Sequence, residues 1–405
     1  MLQPCDSTLP YMLGGITLQR RCVDHTALVA HLIKCRLFQA AELDAHSLTE
    51  KGAASELLPQ SIFGVKAPAM ACTHFQHMSL SKDRSSINAA CWLPDGRRLL
   101  TASAHGMFTL WSAFSFLFEA TQQAHEHALH VAAWSHTGRL LLSADAAGVV
   151  KYWDTTLSNV KEFDAHPGSP IYAVSFCPTD GKFVSGADDG TVRVWDTSRA
   201  VCERLLPGAN LEVCGGTVRS HRWDVKCVEW HPDKAIVASG SKDQSIKLWD
   251  PKMPREICSL HLHKGAVSQI RWHANGRYLL SSSRDQAIKL FDIRAMREVS
   301  AFRAHKREVS ALAWHPVHPE VFVSGCLGGS VLFWTTATAD PVAAALGTRS
   351  GGIPTNAHES AVNALLWHPL GHLLASASQD TATKFWHRVC PCEPHMAPAH
   401  VRADR

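Results

Sequence analysis

Residues 224–250 read DVKCVEWHPDKAIVASGSKDQSIKLWD. The opening DVKCVEW has the alternation of a strand, HPDK supplies a turn, and AIVASGS is a second strand. Lys242, Asp243 and Gln244 make a tight turn, after which SIKLWD is a third strand. Both faces of this small antiparallel sheet are apolar. It must therefore be covered on each side by something of its own kind.

Its neighbours in the chain supply that cover. Segments that begin near a His and end in an aromatic, usually Trp-Asp, recur with closing residues Trp111, Trp153, Trp195, Trp249, Phe291, Trp334 and Trp386. The separations are 42, 42, 54, 42, 43 and 52 residues, a blade-sized period with two insertions. The opening residues His125, His166, His221, His263, His305 and His358 each lie 28 or 29 residues before their closing aromatic. The insertions thus fall between units, where loops tolerate them. Residues 87–111 (INAACWLPDGRRLLTASAHGMFTLW) form a further unit without a clear opening His. Seven such units predict an all-β fold, a seven-bladed WD40 β-propeller. The Trp-His-Pro of 230–232, 314–316 and 367–369 ends the first strand, with Pro presetting the turn. A fourth, less regular strand is expected after each closing aromatic. A strand near 71–81 (ACTHFQHMSLS) is expected to complete the last blade beside 372–386, leaving no open edge.

The recurring polar residues belong to this scheme. An opening His, a second-strand Ser, a turn Asp and the closing Trp can meet inside one blade. The sets are His166, Ser185, Asp189 and Trp195; His221, Ser239, Asp243 and Trp249; and His358, Ser376, Asp380 and Trp386. A Ser/His/Asp grouping is also the inventory of a hydrolase, but an enzyme needs one site and these sets repeat in most units. The structural reading prevails, and no catalytic residue is expected. No Gly-rich phosphate loop or metal-ligand set stands out, so no cofactor or metal is expected. Cys390, Cys392 and His395 lie in a Pro-rich stretch with no second ligand pair.

Composition agrees with a globular interaction domain. Of the 405 residues 46% are hydrophobic and 19% charged, and 40 basic against 36 acidic residues give only +4. That balance permits a nucleic-acid surface without arguing for one. The opening MLQPCDSTLPYMLGG has no basic-then-apolar pattern of a secretory signal, and no apolar run reaches the ~20 residues of a membrane helix. Thirteen scattered cysteines suit a reducing compartment. The domains expected are an N-terminal extension over 1–70, the propeller over 71–388 and a flexible tail over 389–405. Within the extension, Leu28, Leu32, Cys35 and Phe38 suggest an amphipathic helix over about 24–47, followed by a linker. The stretches 199–219 and 336–356 read as surface-loop insertions.

Several phrases go beyond a generic repeat. PDGRRLLTASAHGMFTLW (94–111), FEATQQAH (118–125), SNVKEFDAH (158–166), WDVKCVEWHPDKAIVASGSKDQSIKLWDPK (223–252), AWHPVHPEVFVSG (313–325) and WHPLGHLLASASQDTATKFW (367–386) resemble one family, the WD-repeat subunit of the cleavage and polyadenylation specificity factor. The likeness covers about residues 79–388, with a weaker continuation over 19–36. It implies a nuclear scaffold in mRNA 3′-end processing, joined to the large specificity-factor subunit and a zinc-finger subunit, and helping to read the AAUAAA signal in pre-mRNA. The family's RNA contacts are matched here by Lys82 and Phe118 and, in QRRCVDH (19–25), by Arg20 with Arg21 beside it. The family carries a dense basic run ahead of that position, where this chain has YMLGGITL at 11–18. Phe114, Phe116 and Phe118 alternate as on a strand, so two roles are open to Phe118: packing between blades, or stacking on a base. A different class of function is also open. Leu290 to Arg294 (LFDIR) loosely resembles the Trp-Asp-x-Arg box of substrate receptors for cullin-type ubiquitin ligases. The residues that end a blade would look the same.

Overall fold

The computed structural model describes residues 12–13, 16–17, 71–208, 219–253, 255–348 and 354–388. The expected helix over 24–47, the linker over 48–70, Arg20, Arg21 and the tail over 389–405 lie outside these residues. Among the described residues every regular element is a strand.

Seven four-stranded antiparallel sheets follow one another around a ring. In blade 4 the strands run, inside to outside, Val225–Trp230, Val237–Ser241, Ile246–Trp249 and Glu256–Leu260. Blades 1, 2, 3 and 5 repeat this meander from inner strands Ile87–Trp92, Leu129–Trp134, Ile171–Phe176 and Val267–Trp272. Blade 6 starts at Val309–Trp314 and blade 7 at Val362–Trp367. Blade 7 takes its outer strand from the other end of the chain: His74–Leu80 pairs antiparallel with Ala382–His387. That strand closes the ring and covers an edge that would otherwise offer unpaired backbone groups.

Two stretches read as loop insertions are partly strand. Val201–Leu205 is the outer strand of blade 3, and Ala343–Ala345 that of blade 6. Gly347–Thr348 and Pro354–Thr355 add a small hairpin. The weak apolar alternation of VCERL and AAA hid them. An outer strand has one neighbour only: Val201–Leu205 is largely exposed and Ala343–Ala345 is a short half-buried run of alanines, so neither carries a strong pattern.

In six blades the pairing between third and outer strand slips by one residue at the closing aromatic: Trp111, Trp153, Trp195, Trp249, Phe291 and Trp386. Such a bulge increases twist and turns the outer strand away, as wedge-shaped blades in a ring require.

The core lies between blades. Cys227, Ile246 and Leu248 of blade 4 pack with Val267, Ile270, Leu279 and Phe291 of blade 5. At the join, Ile87, Trp92, Leu99 and Trp111 of blade 1 meet Leu373, Ala375 and Phe385 of blade 7. The closing interface is thus built from the same kinds of side chain as the others. Each such side chain buried contributes about 1.5–3 kcal/mol by leaving water. Second strands carry a small residue where the next blade presses in. A Cβ on Gly240 would stand 2.7 Å from Cys227 Sγ and 2.7 Å from Val267 Cγ1.

The three phenylalanines do not alternate along a strand. Phe114 is exposed in the turn, and Phe116 is buried with a left-handed φ of 58°. Only Phe118 belongs to a strand, Phe118–Gln123. The expected alternation fails because the chain reverses at 113–116 to start the outer strand.

Candidate functional site

The tetrads position the turns at one end of each blade. In blade 4, Trp249 Nε1 donates to Ser239 Oγ at 2.7 Å, and Ser239 Oγ lies 2.7 Å from His221 Nε2. His221 Nδ1 is 3.0 Å from Asp243. The indole occupies a lone pair of Oγ, so the hydroxyl proton goes to Nε2 and the Nδ1 proton to the carboxylate. Asp243 also accepts from Ser245 and from the backbone N–H of Arg222. The same arrangement holds for His166, Ser185, Asp189 and Trp195, and for His358, Ser376, Asp380 and Trp386.

The other blades vary it. Blade 2 moves its carboxylate to Asp145, still 3.0 Å from His125. Blade 5 keeps His263, Ser281 and Asp285 but closes with Phe291. Blade 6 has Gly328 where the Asp would stand, and Ser330 takes its place 3.1 Å from His305. Blade 1 retains only the Trp111 bond to Thr101, 3.0 Å.

Electrostatics follow from burial. Burial lowers the pKa of His166, His221, His263 and His358 against the pull of their aspartates. His305, with no aspartate, is lowered by burial alone to about 4. Burial works against the charge on Asp380, but bonds from His358 and the backbone outweigh it and hold the carboxyl at about 2. Each serine of these sets is fully buried and its oxygen already engaged, which leaves no nucleophile facing a substrate.

A second set of histidines went unread in the sequence. His231, His273, His315 and His368 follow the last Trp of their inner strands. Each Nε2 donates to a carbonyl of the next blade: Gly276, Pro319, Gly371 and, across the join, Gly96, at 2.8–3.2 Å. Each ring also meets the edge of that blade's tryptophan, 4.6–4.9 Å between centroids. The recurring Trp-His pair was the available signal. These latches and the tetrads account for many of the chain's 25 histidines and 13 tryptophans.

The residues matched to the family's RNA contacts come together in part. Lys82 Nζ lies 3.6 Å from the centroid of the Phe118 ring, a cation–π contact. Phe118 is half-buried, with Trp111 against it at 6.1 Å. Both roles left open for Phe118 thus have a partial basis: one side packs against the blade, and the other is covered by an exposed lysine.

At the axis a cavity of about 470 Å³ is lined by inner-strand residues from all seven blades, among them Asn88, His130, Tyr172, Lys226 and Ser268, and by turn residues such as Lys242 and Arg284. The Tyr172 ring lies 5.1 Å from that of His130, tilted against it, with Lys226 Nζ 3.6 Å from its centroid. The LFDIR segment is accounted for by its turn. Asp292 accepts from Arg277 and from the backbone N–H groups of Arg294 and Ala295.

Seven meandering blades, closed by a strand from the opposite terminus and pinned by buried His–Ser–Asp–Trp networks, define a WD40 β-propeller. The family model described as "WD domain, G-beta repeat" matches residues 74–112, 118–154, 157–196, 212–250, 254–292, 296–335 and 353–387. The chain is similar to proteins named polyadenylation factor subunit 2. Identity is 41% with that of Gibberella zeae, over 83% of this chain and 56% of the relative. It is 40% with that of Neurospora crassa, over 78% and 49%. It is 35% with that of Yarrowia lipolytica, over 93% and 75%. The chain thus belongs to the WD40-repeat family, among the WD-repeat polyadenylation factor subunits. It spans about half the length of the first two relatives.

Proposed function

We propose that this chain is a non-catalytic scaffold subunit of the nuclear mRNA cleavage and polyadenylation machinery. The observation that carries the reading is the similarity to polyadenylation factor subunit 2 of Yarrowia lipolytica, over 93% of the chain. The propeller suits that role. Its blades cover one another, so its rims and turn faces are left for partners. The partners are the large specificity-factor subunit, the zinc-finger subunit and pre-mRNA carrying an AAUAAA-type signal. The propeller domain extends over 71–388, between an N-terminal extension and a C-terminal tail.

In this reading Lys82 and Phe118 form one RNA contact, and Arg20 and Arg21 another. Lys82 must swing off the Phe118 ring for a base to stack there. The exchange trades a cation–π contact of about 0.5–1 kcal/mol for base stacking of about 1–3 kcal/mol.

The test purifies the specificity factor through its large subunit and crosslinks it to an AAUAAA oligonucleotide. The chain is expected in the complex, with crosslinking weakened by Lys82→Ala and by Phe118→Ala. An intact factor lacking this chain would refute the scaffold reading. Unchanged crosslinking in both variants removes the blade-1 RNA contact alone. A pull-down with the ubiquitin-ligase adaptor tests the receptor alternative, for which Asp292 and its turn give no support.

A further inference from the structure

The tetrads hold more than the blade interior. In blades 4, 5 and 7 the tetrad aspartate accepts the backbone N–H of the residue just after the opening histidine. That residue's side chain is thereby set at the turn end of the blade, where antiparallel strands place the turns between second and third strands as well. Its identity changes round the ring. It is Glu126 in blade 2, Pro167 in blade 3 and Glu359 in blade 7, but Arg222, Lys264 and Lys306 in blades 4, 5 and 6. All three cations are exposed, and none makes an ion pair among the described residues. Arg307, beside Lys306, is equally free of one. Lys242 and Arg284, on the adjoining turns, have only long ion pairs of 3.5 and 3.8 Å with Asp224 and Glu308.

The same arc carries an exposed aromatic. Trp223, next to Arg222, is 56% exposed, with Lys242 Nζ 5.2 Å from its ring centroid and its carbonyl held by Ser241. A single exposed ring is ordinary on a protein surface, but this one adjoins Arg222, unpaired among the described residues, and is free to stack. Among the turns that carry these cations, the other exposed large apolar side chain is Leu327. A folded protein partner needs an apolar centre to its interface, and among the described residues this face lacks one. A flexible polyanion needs cations at intervals and a ring on which to stack, and this face has both.

We propose that the turn end of blades 4–6 is a track for single-stranded nucleic acid. Arg222, Lys264 and Lys306 engage phosphates on successive blades, and one base stacks on Trp223. The glutamates of blades 2 and 7 end the track by repulsion. The track shares no residue with the Lys82–Phe118 contact, so either can fail without the other.

The experiment titrates a short fluorescent oligouridylate with the full purified chain at several salt concentrations. A polyglutamate peptide of similar charge serves as the competing probe. The Arg222→Ala/Lys264→Ala/Lys306→Ala variant is expected to lose about tenfold or more in affinity at low salt. Its plot of log affinity against log salt should flatten by about 2, at roughly 0.7 for each phosphate no longer neutralised. Trp223→Ala should lose about tenfold with the salt slope unchanged, and Trp223→Phe should retain most binding. The side chains changed are exposed, so thermal unfolding should match the parent chain. Three results overturn the proposal: no oligouridylate binding at low salt, an unchanged affinity and slope in the triple variant, or polyglutamate bound as tightly with RNA indifferent to Trp223. The last assigns the face to an acidic protein segment. Binding abolished in Lys82→Ala/Phe118→Ala but kept in the triple variant leaves the blade-1 contact standing and this one refuted.

Discussion

Ser239 Oγ serves two partners at once, accepting from Trp249 and donating to His221. Removing it strands an indole N–H and a ring nitrogen in a fully buried site. Removing the indole instead leaves only a spare lone pair on oxygen, which costs less. Blade 5 lives with that second state, since Phe291 closes it and Ser281 keeps its bond to His263. Ser239→Ala is therefore expected to cost about 2–4 kcal/mol in urea unfolding, and Trp249→Phe distinctly less. Equal losses would mean the network is not what the serine contributes. The four residues of a tetrad were legible in the sequence because each blade repeats them at nearly constant spacing. Ser330, which replaces an aspartate in blade 6, was not, since nothing local says a gap has been filled from two residues away.

At the scale of the element, each second strand must lie against the inner strand of the next blade. Gly240 sits where Val267 and Ile270 press in, and Gly325 meets Val362 in the same way. An added methyl at Gly240 has no room, because packed side chains of two blades already fill the space around it. Gly240→Ala is expected to destabilise the protein by about 1–3 kcal/mol through overpacking, seen as a lowered urea midpoint with an unchanged slope. A neutral or stabilising result would show the interface to be softer than its geometry. Inner and second strands were readable from their apolar runs because they are enclosed on both sides. The outer strands were not: exposure removes the pattern from Val201–Leu205, and three alanines in Ala343–Ala345 are too short and uniform to show one.

The whole ring depends on histidines staying neutral. Burial pushes His315 down to about 3, and it uses Nδ1 to accept backbone N–H groups while Nε2 donates to Gly371. Protonation would replace that acceptor with a donor. His305, also buried, is at about 4. Folded-state values below the unfolded 6.5 mean that the unfolded chain binds protons first. The stability these groups contribute is complete above pH ~6.5 and is lost as pH falls towards 4 for His305 and 3 for His315. The low aspartates act in the same sense further down, as in Asp380. The melting temperature is expected to fall steadily from pH ~6.5 downward. His305→Gln should show a shallower fall between pH 6.5 and 4 in thermal scans. A variant as steep as the parent chain would remove His305 from the account.

What the sequence determined alone was the inside of each blade: seven units, their strands and turns, and the polar set that pins them. A hairpin's register is set by its own turn and a period of two, so that information is local. What only the tertiary structure decided was everything that passes between blades. The closing of blade 7 on blade 1, where His368 reaches Gly96, and the lysine lying over Phe118 bring together residues that no local pattern pairs. Such contacts depend on how twisted sheets wedge together around an axis, and a repeat length carries the count of those sheets but not the surfaces they bring face to face.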